Sequence, residues 1–230
     1  MSSHGSSSST PSTGSPSLHR NLFVLLLVWL LACVCVSSVS GAPRSPSPCS
    51  ASLKQSLKIA RMLHTETGKL LQTYRANQGE GVEFICQAQS EGVPEATVFG
   101  QDWTERLSGV HLRLHEFAPH LRHVCEQQAE LQPPGSRLLG ELAQVQLRVP
   151  HLASSLHGLL ELLLPNSVLE PPGPTGQPPL PPLNSFQQKA YGCSVLTRFR
   201  NFLSNSQKEL KALRGVACKR AVRLIGQHRL

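Results

Sequence analysis

Between Ser50 and Asn77 the apolar positions Leu53, Leu57, Ala60, Leu63, Leu70, Leu71 and Tyr74 recur every three or four residues, and Lys54, Lys58, Arg61, Thr65, Lys69 and Gln72 fill the opposite side. At about 100° per residue this spacing predicts an amphipathic helix. A second helix is predicted over 102–131: Asp102 with Glu105 three residues on has the form of a capping box, and Leu107, Leu114, Phe117, Leu121, Val124 and Cys125 follow in helical phase, with Pro119 expected to kink the helix. A third spans 136–164, with Leu138, Leu142, Val145, Val149, Leu152, Leu156, Leu159 and Leu163 inward and Arg137, Glu141, Gln144, Arg148, His151 and Ser155 outward. The fourth covers 185–214, with Phe186, Cys193, Leu196, Phe199, Leu203, Leu210 and Leu213 on its apolar side and Gly215 as its expected stop. No stretch alternates with the period of two that a half-buried strand requires.

The connections set the topology. The gap from Gln78 to Gln101 and the Pro-rich gap from Pro165 to Ser185 are long, and Gln132 to Gly135 is short. A short turn makes the middle helices antiparallel neighbours. A helix of about 28 residues is about 42 Å long, and a connection of about 20 residues can stretch to about 66 Å, so both long gaps can run the length of a bundle. Long, short, long predicts an all-α, long-chain four-helix bundle with up-up-down-down topology and two long crossover loops. Up-down-up-down would leave both long gaps without a purpose.

At the N-terminus, His19 and Arg20 precede an apolar run from Leu22 to Val36 and then small residues at Val39-Ser40-Gly41-Ala42. That order reads as a signal peptide with a long polar leader over 1–42, because about 15 apolar residues fall short of the roughly 20 that span a bilayer. The competing reading is a type II membrane protein, signal-anchored, with a helical ectodomain. The rest divides into a helical domain over 43–215 and a basic tail over 216–230. The net charge of +8 gathers toward the C-terminus, where Lys219, Arg220, Arg223 and Arg229 follow the fourth helix. In a secreted protein this favours heparan sulfate over nucleic acid.

Seven cysteines are present, and Cys33 and Cys35 lie in the signal. In an up-up-down-down bundle, Cys86 early in the first crossover and Cys193 early in the fourth helix share the top, and Cys49 and Cys218 share the bottom. The topology therefore predicts the disulfides Cys86 with Cys193 and Cys49 with Cys218, with Cys125 a buried free thiol. Cys218, beyond the expected stop, could also stay unpaired or bridge two chains.

Several fragments, in order on the predicted helices, resemble the leukaemia inhibitory factor, oncostatin M, ciliary neurotrophic factor and cardiotrophin branch of the interleukin-6-type cytokines. They are Ile59-Ala60-Arg61 and Leu70-Leu71-Gln72-Thr73-Tyr74 with Gln78-Gly79 in and after the first helix, Val124-Cys125-Glu126-Gln127-Gln128-Ala129-Glu130-Leu131 in the second, and Phe186-Gln187-Gln188-Lys189 with Gly192-Cys193 in the fourth. The resemblance implies a monomeric ligand that joins glycoprotein 130, bound by the first and third helices, to a receptor of the leukaemia inhibitory factor receptor or oncostatin M receptor type, bound at the start of the fourth helix, and so activates kinases and a STAT factor. It assigns the second contact to Phe186 and Lys189 and also implies the Cys86–Cys193 bridge. On the residues alone, Phe186 reads as a staple for the preceding loop. For the first contact the expectation is one polar surface of Lys58, Arg61, Thr65, Gln144 and Arg148. A bridge from an N-terminal cysteine to the late third helix, as in oncostatin M, has no counterpart, since only leucines stand near Leu159.

Sharper chemistry finds little support. His111 and His115, four apart, with His120 and His123 beyond, suit a solvated face as well as a metal, and zinc needs three or four convergent ligands. No nucleophile elbow, metalloprotease motif or phosphate loop occurs, so neither an enzyme nor a cofactor is expected. A secreted helical carrier of a small apolar ligand is the remaining alternative, disfavoured by the dense Leu faces.

Overall fold

The computed structural model describes residues 47–88, 90–164 and 183–227, with side chains as far as Cys218 apart from Ala217. The helices are α1 (Pro48–Ala76), α2 (Val82–Gln87), α3 (Trp103–Leu131), α4 (Arg137–Leu163) and α5 (Ser185–Gln227), and no strand occurs among the described residues. The signal segment, its cleavage site and most of the Pro-rich gap lie outside them.

Local chemistry explains where α1, α3 and α5 begin. Ser47 Oγ accepts the Ser50 N–H at 3.3 Å, with Pro48 in the first turn where its missing N–H costs nothing. Asp102 Oδ1 accepts the N–H groups of Thr104 at 2.7 Å and Glu105 at 2.9 Å, and Glu105 returns a carboxylate oxygen to the Gln101 N–H at 2.7 Å. The fourth long helix starts with a reciprocal pair: Gln187 N–H donates to Asn184 Oδ1 at 2.9 Å, and Asn184 N–H to Gln187 Oε1 at 3.0 Å. Both α3 and α4 run on through their internal prolines, Pro119 and Pro150.

Inter-helix contacts fix the topology. Both α1 and α3 pack against α4 and α5, and they face each other diagonally. The start of α1 meets the end of α5 at Cys49 and Cys218, and its end meets the start of α5 where Tyr74 Oη donates to the Lys189 carbonyl at 3.1 Å. Likewise Arg106, early in α3, reaches Glu209, late in α5, at 2.9 Å. Both α1 and α3 are therefore antiparallel to α5, and the bundle is up-up-down-down. Its core joins the apolar stripes of the four long helices around Phe117, whose ring centroid lies 5.3 Å from those of Phe199 and Phe202.

The first connection is less of a loop than the sequence suggested. It forms α2 and then runs along α5, where side chains capture its carbonyls: Arg198 Nη1 donates to Val93 O at 2.7 Å and Asn205 Nδ2 to Ala96 O at 3.0 Å. A second difference lies at the other end, because Gly215 does not stop the fourth long helix, which continues to Gln227. A mid-helix glycine costs only about 1 kcal/mol, and the next turn is fastened to the bundle through Cys218. Disulfides join Cys86 to Cys193 and Cys49 to Cys218, and Cys125 is a free thiol. That thiol is only partly buried, yet burial, helped by Glu126, pushes its pKa up to about 11, away from reactivity.

Candidate functional site

At the pole where α5 begins, two aromatic rings face solvent. The Asn184–Gln187 box fixes the first turn of α5 and leaves Phe186 44% exposed, and α2 presents Phe84 beside it, 72% exposed, with ring centroids 6.3 Å apart. The Cys86–Cys193 bridge pins α2 to α5 directly below them. Lys189, one turn along from Phe186, is partly committed: its Nζ donates to Gln78 O at 2.8 Å, a cation closing off the C-terminal end of α1. Phe186 therefore does not staple its loop into the core. Its partner is a second exposed ring.

Beneath this pair lies a buried polar network. Gln78 Nε2 donates to Gln128 Oε1 at 3.0 Å, Gln128 Nε2 to Tyr74 Oη at 3.3 Å, and Tyr74 Oη to the Lys189 carbonyl, tying α1, α3 and α5 together. Burial raises the Tyr74 phenol far above its ordinary pKa, so it stays a donor. The tyrosine fits only because Gly192 has no side chain: a Cβ there would overlap its hydroxyl. Gly192→Ala is expected to cost about 3 kcal/mol, the upper part of the overpacking range, which for a chain of this size lowers Tm by roughly 6–12 °C. Thermal melting followed by circular dichroism measures it, and an unchanged Tm would mean that the tyrosine has room to shift.

The face between α1 and α4 departs from the expected polar surface. Ser56 and Ser155 join the two helices through their hydroxyls at 2.8 Å, and Arg148 crosses to α1, with Nε 3.1 Å from Glu66 Oε2 and Nη1 3.2 Å from Met62 Sδ. Gln144 is exposed on α4 near Leu147, itself 70% exposed, and Met62 is 37% exposed. Lys58, Arg61 and Thr65 are exposed, but the α1 residues that reach Arg148 are Met62 and Glu66. Arg61 instead precedes Gly68 by seven residues, which sets it on the side of α1 that faces Arg200 of α5. The α1–α4 face is a salt bridge flanked by exposed apolar side chains.

A model of the family described as ciliary neurotrophic factor matches residues 36–227 of this chain. The chain belongs to the ciliary neurotrophic factor family. Two curated relatives are similar to it: cardiotrophin-2 of Pan troglodytes, 27% identical over 60% of this chain and 70% of its own length, and cardiotrophin-2 of Mus musculus, 28% identical over 56% and 70%. With its family, the chain is a non-enzymatic helical cytokine.

In this ciliary neurotrophic factor family member the histidines of α3 point inward more than a solvated face would allow. His111 and His120 are buried; His111 Nε2 lies 3.3 Å from His115 Nε2, and its ring is 5.8 Å from that of His157 on α4. His120 Nδ1 shares a hydrogen bond of 2.6 Å with Tyr191 Oη, the donor depending on the tautomer. Among the described residues no group of three or more His, Cys, Asp or Glu side chains is arranged to hold a metal ion. No helix among those residues is long and apolar enough to cross a membrane; the run from Leu22 to Val36 lies outside them.

Proposed function

We propose that this cytokine is secreted and brings glycoprotein 130 together with a second receptor of the leukaemia inhibitory factor receptor or oncostatin M receptor type, activating receptor-associated kinases and a STAT factor. The observation that carries this reading is the Phe84–Phe186 pair: two large aromatics held in solvent by a capping box and a disulfide, which a monomer gains nothing by exposing. Aromatic side chains on a rigid platform are the usual anchors of protein interfaces. In this reading Phe186, with Phe84 and the Lys189 ammonium, meets the second receptor. The α1–α4 face, with Leu147 and Met62 around Arg148 and with Gln144, Lys58 and Thr65 at its margins, meets glycoprotein 130.

Conditioned medium from cells expressing the full chain should raise STAT phosphorylation in cells that carry both receptors and leave unchanged cells that carry only one. Equal responses in all of them, or none in any, would dismiss the receptor pair.

A further inference from the structure

One long face of the bundle has a chemistry that the receptor reading does not use. The segment Pro48–Ala76 contains a single acidic residue, Glu66, and Ser185–Gln227 contains a single one, Glu209. Both carboxylates turn away from the seam between α1 and α5: Glu66 pairs with Arg148 of α4 at 3.1 Å, and Glu209 with Arg106 of α3 at 2.9 Å. The seam is left to cations.

Helical phase locates them. The seam is marked at one end by Gly68, where a Cβ would lie 3.3 Å from Arg200 Nε, and at the other by the Cys49–Cys218 bridge. Lys54 and Arg61 stand fourteen and seven residues before Gly68, in line with it to within about 40° at 100° per residue. On α5, Lys211 and Arg214 lie within about 40° of both Arg200 and Cys218 by the same count. All five cations are exposed. They form two parallel lines, about 10 Å long from Lys54 to Arg61 on α1 and about 21 Å long from Arg200 to Arg214 on α5 at 1.5 Å per residue. Large apolar side chains turn elsewhere: Met62 lies against Arg148, Phe186 is at the pole, and Val216 is about 160° round α5 from Arg200.

We infer that the α1–α5 seam, through Lys54, Arg61, Arg200, Lys211 and Arg214, is a binding strip for a sulfated polysaccharide chain. A straight, acid-free double line of cations fits a linear polyanion. A membrane surface fits it worse, since interfacial helices insert apolar side chains and this strip has none. The strip lies on described helix faces, apart from the basic segment beyond Cys218 to which the charge pattern of the sequence points. The inference rests on the secreted reading for its biological setting. Heparin retention is read on purified protein and STAT phosphorylation on cells, so either can fail without the other.

The test uses the full chain on immobilised heparin, with elution by salt. Arg61→Glu with Lys211→Glu reverses two strip cations that make no core contact. Arg122→Glu with Arg137→Glu makes the same change in net charge on α3 and α4. Lys219→Glu, Arg220→Glu and Arg223→Glu alter the C-terminal segment. The strip variant should lose about tenfold or more in heparin affinity at about 0.15 M salt, with a shallower salt dependence, while the α3–α4 and C-terminal variants stay within about twofold of the native chain. The strip assignment is overturned if the strip variant moves no further than the α3–α4 variant, or if reversal of the C-terminal segment alone removes retention. It is equally overturned if phosphatidylserine vesicles bind the native chain as tightly as heparin does and lose it in the strip variant, which would make the strip a membrane contact.

Discussion

Lowering the pH from 6.5 to about 4 is expected to remove up to about 3 kcal/mol of folding stability for each of two buried histidines, His111 and His120. Each is held at a pKa of about 4, His111 by burial and then by the nearby His115 and His157, and His120 by burial and then by His123. A group whose folded pKa is depressed leaves the unfolded chain binding more protons. The stability it supplies is complete above the unfolded pKa of about 6.5 and disappears as the pH falls toward 4. The carboxylates Glu161, 3.2 Å from His157, and Glu126, 3.5 Å from His123, are exposed and bond to the outer histidines rather than the buried ones. Asp102 is also depressed, chiefly by the Glu105 N–H bond, but from a starting value of 3.8, so its contribution falls away only at lower pH. Urea unfolding at pH 7 and pH 4.5 measures the difference, and His111→Gln and His120→Gln should each flatten the slope between them. A midpoint that does not move between these two pH values would show that both imidazoles protonate inside the fold without cost.

The second large effect is at the aromatic pole. Phe84→Ala with Phe186→Ala should weaken binding to the second receptor by about 30- to 1,000-fold, the 2–4 kcal/mol typical of a truncated interface anchor. Glycoprotein 130 binding and the circular dichroism spectrum should not change, because both rings are exposed and neither contributes to the core. Phe84→Ala alone should give a substantial part of the loss, since the two rings form one surface. Surface plasmon resonance against each receptor ectodomain separates these outcomes. Full affinity in the double variant would mean that the second receptor docks elsewhere.

The long helices and their core were legible because the period of 3.6 is strong. Leu138 to Leu163 on α4 and Leu53 to Tyr74 on α1 are buried at the positions their spacing gave. The exposed Leu147 falls out of phase between Val145 and Val149, a signal that the helical pattern above does not single out. Phe84 was not, since six residues of α2 are too few to show a period, and its neighbour lies 102 residues away in sequence. The side to which Arg61 turns was hidden for a different reason. A helical wheel gives the direction of a side chain but not which neighbouring helix stands on that side, and the hand of the bundle appears only in contacts such as Arg148 with Glu66 and Gly68 with Arg200. The Tyr74–Gln78–Gln128 network was equally hidden, since it joins polar residues from different helices that no local pattern marks for burial.

The Cys49–Cys218 bridge has a practical consequence for how the molecule can be handled. It closes the described bundle into a ring and gathers the entry to α1 and the last fixed point of α5 at one pole, about 40 Å along α1 from the aromatic pair at 1.5 Å per residue. A reporter, a carrier domain or a surface tether joined directly ahead of α1 would enter the bundle at the pole remote from Phe84 and Phe186. Labelling the aromatic pole itself would need an insertion in the exposed turn ahead of α2, around Gly79–Glu80, rather than a fusion.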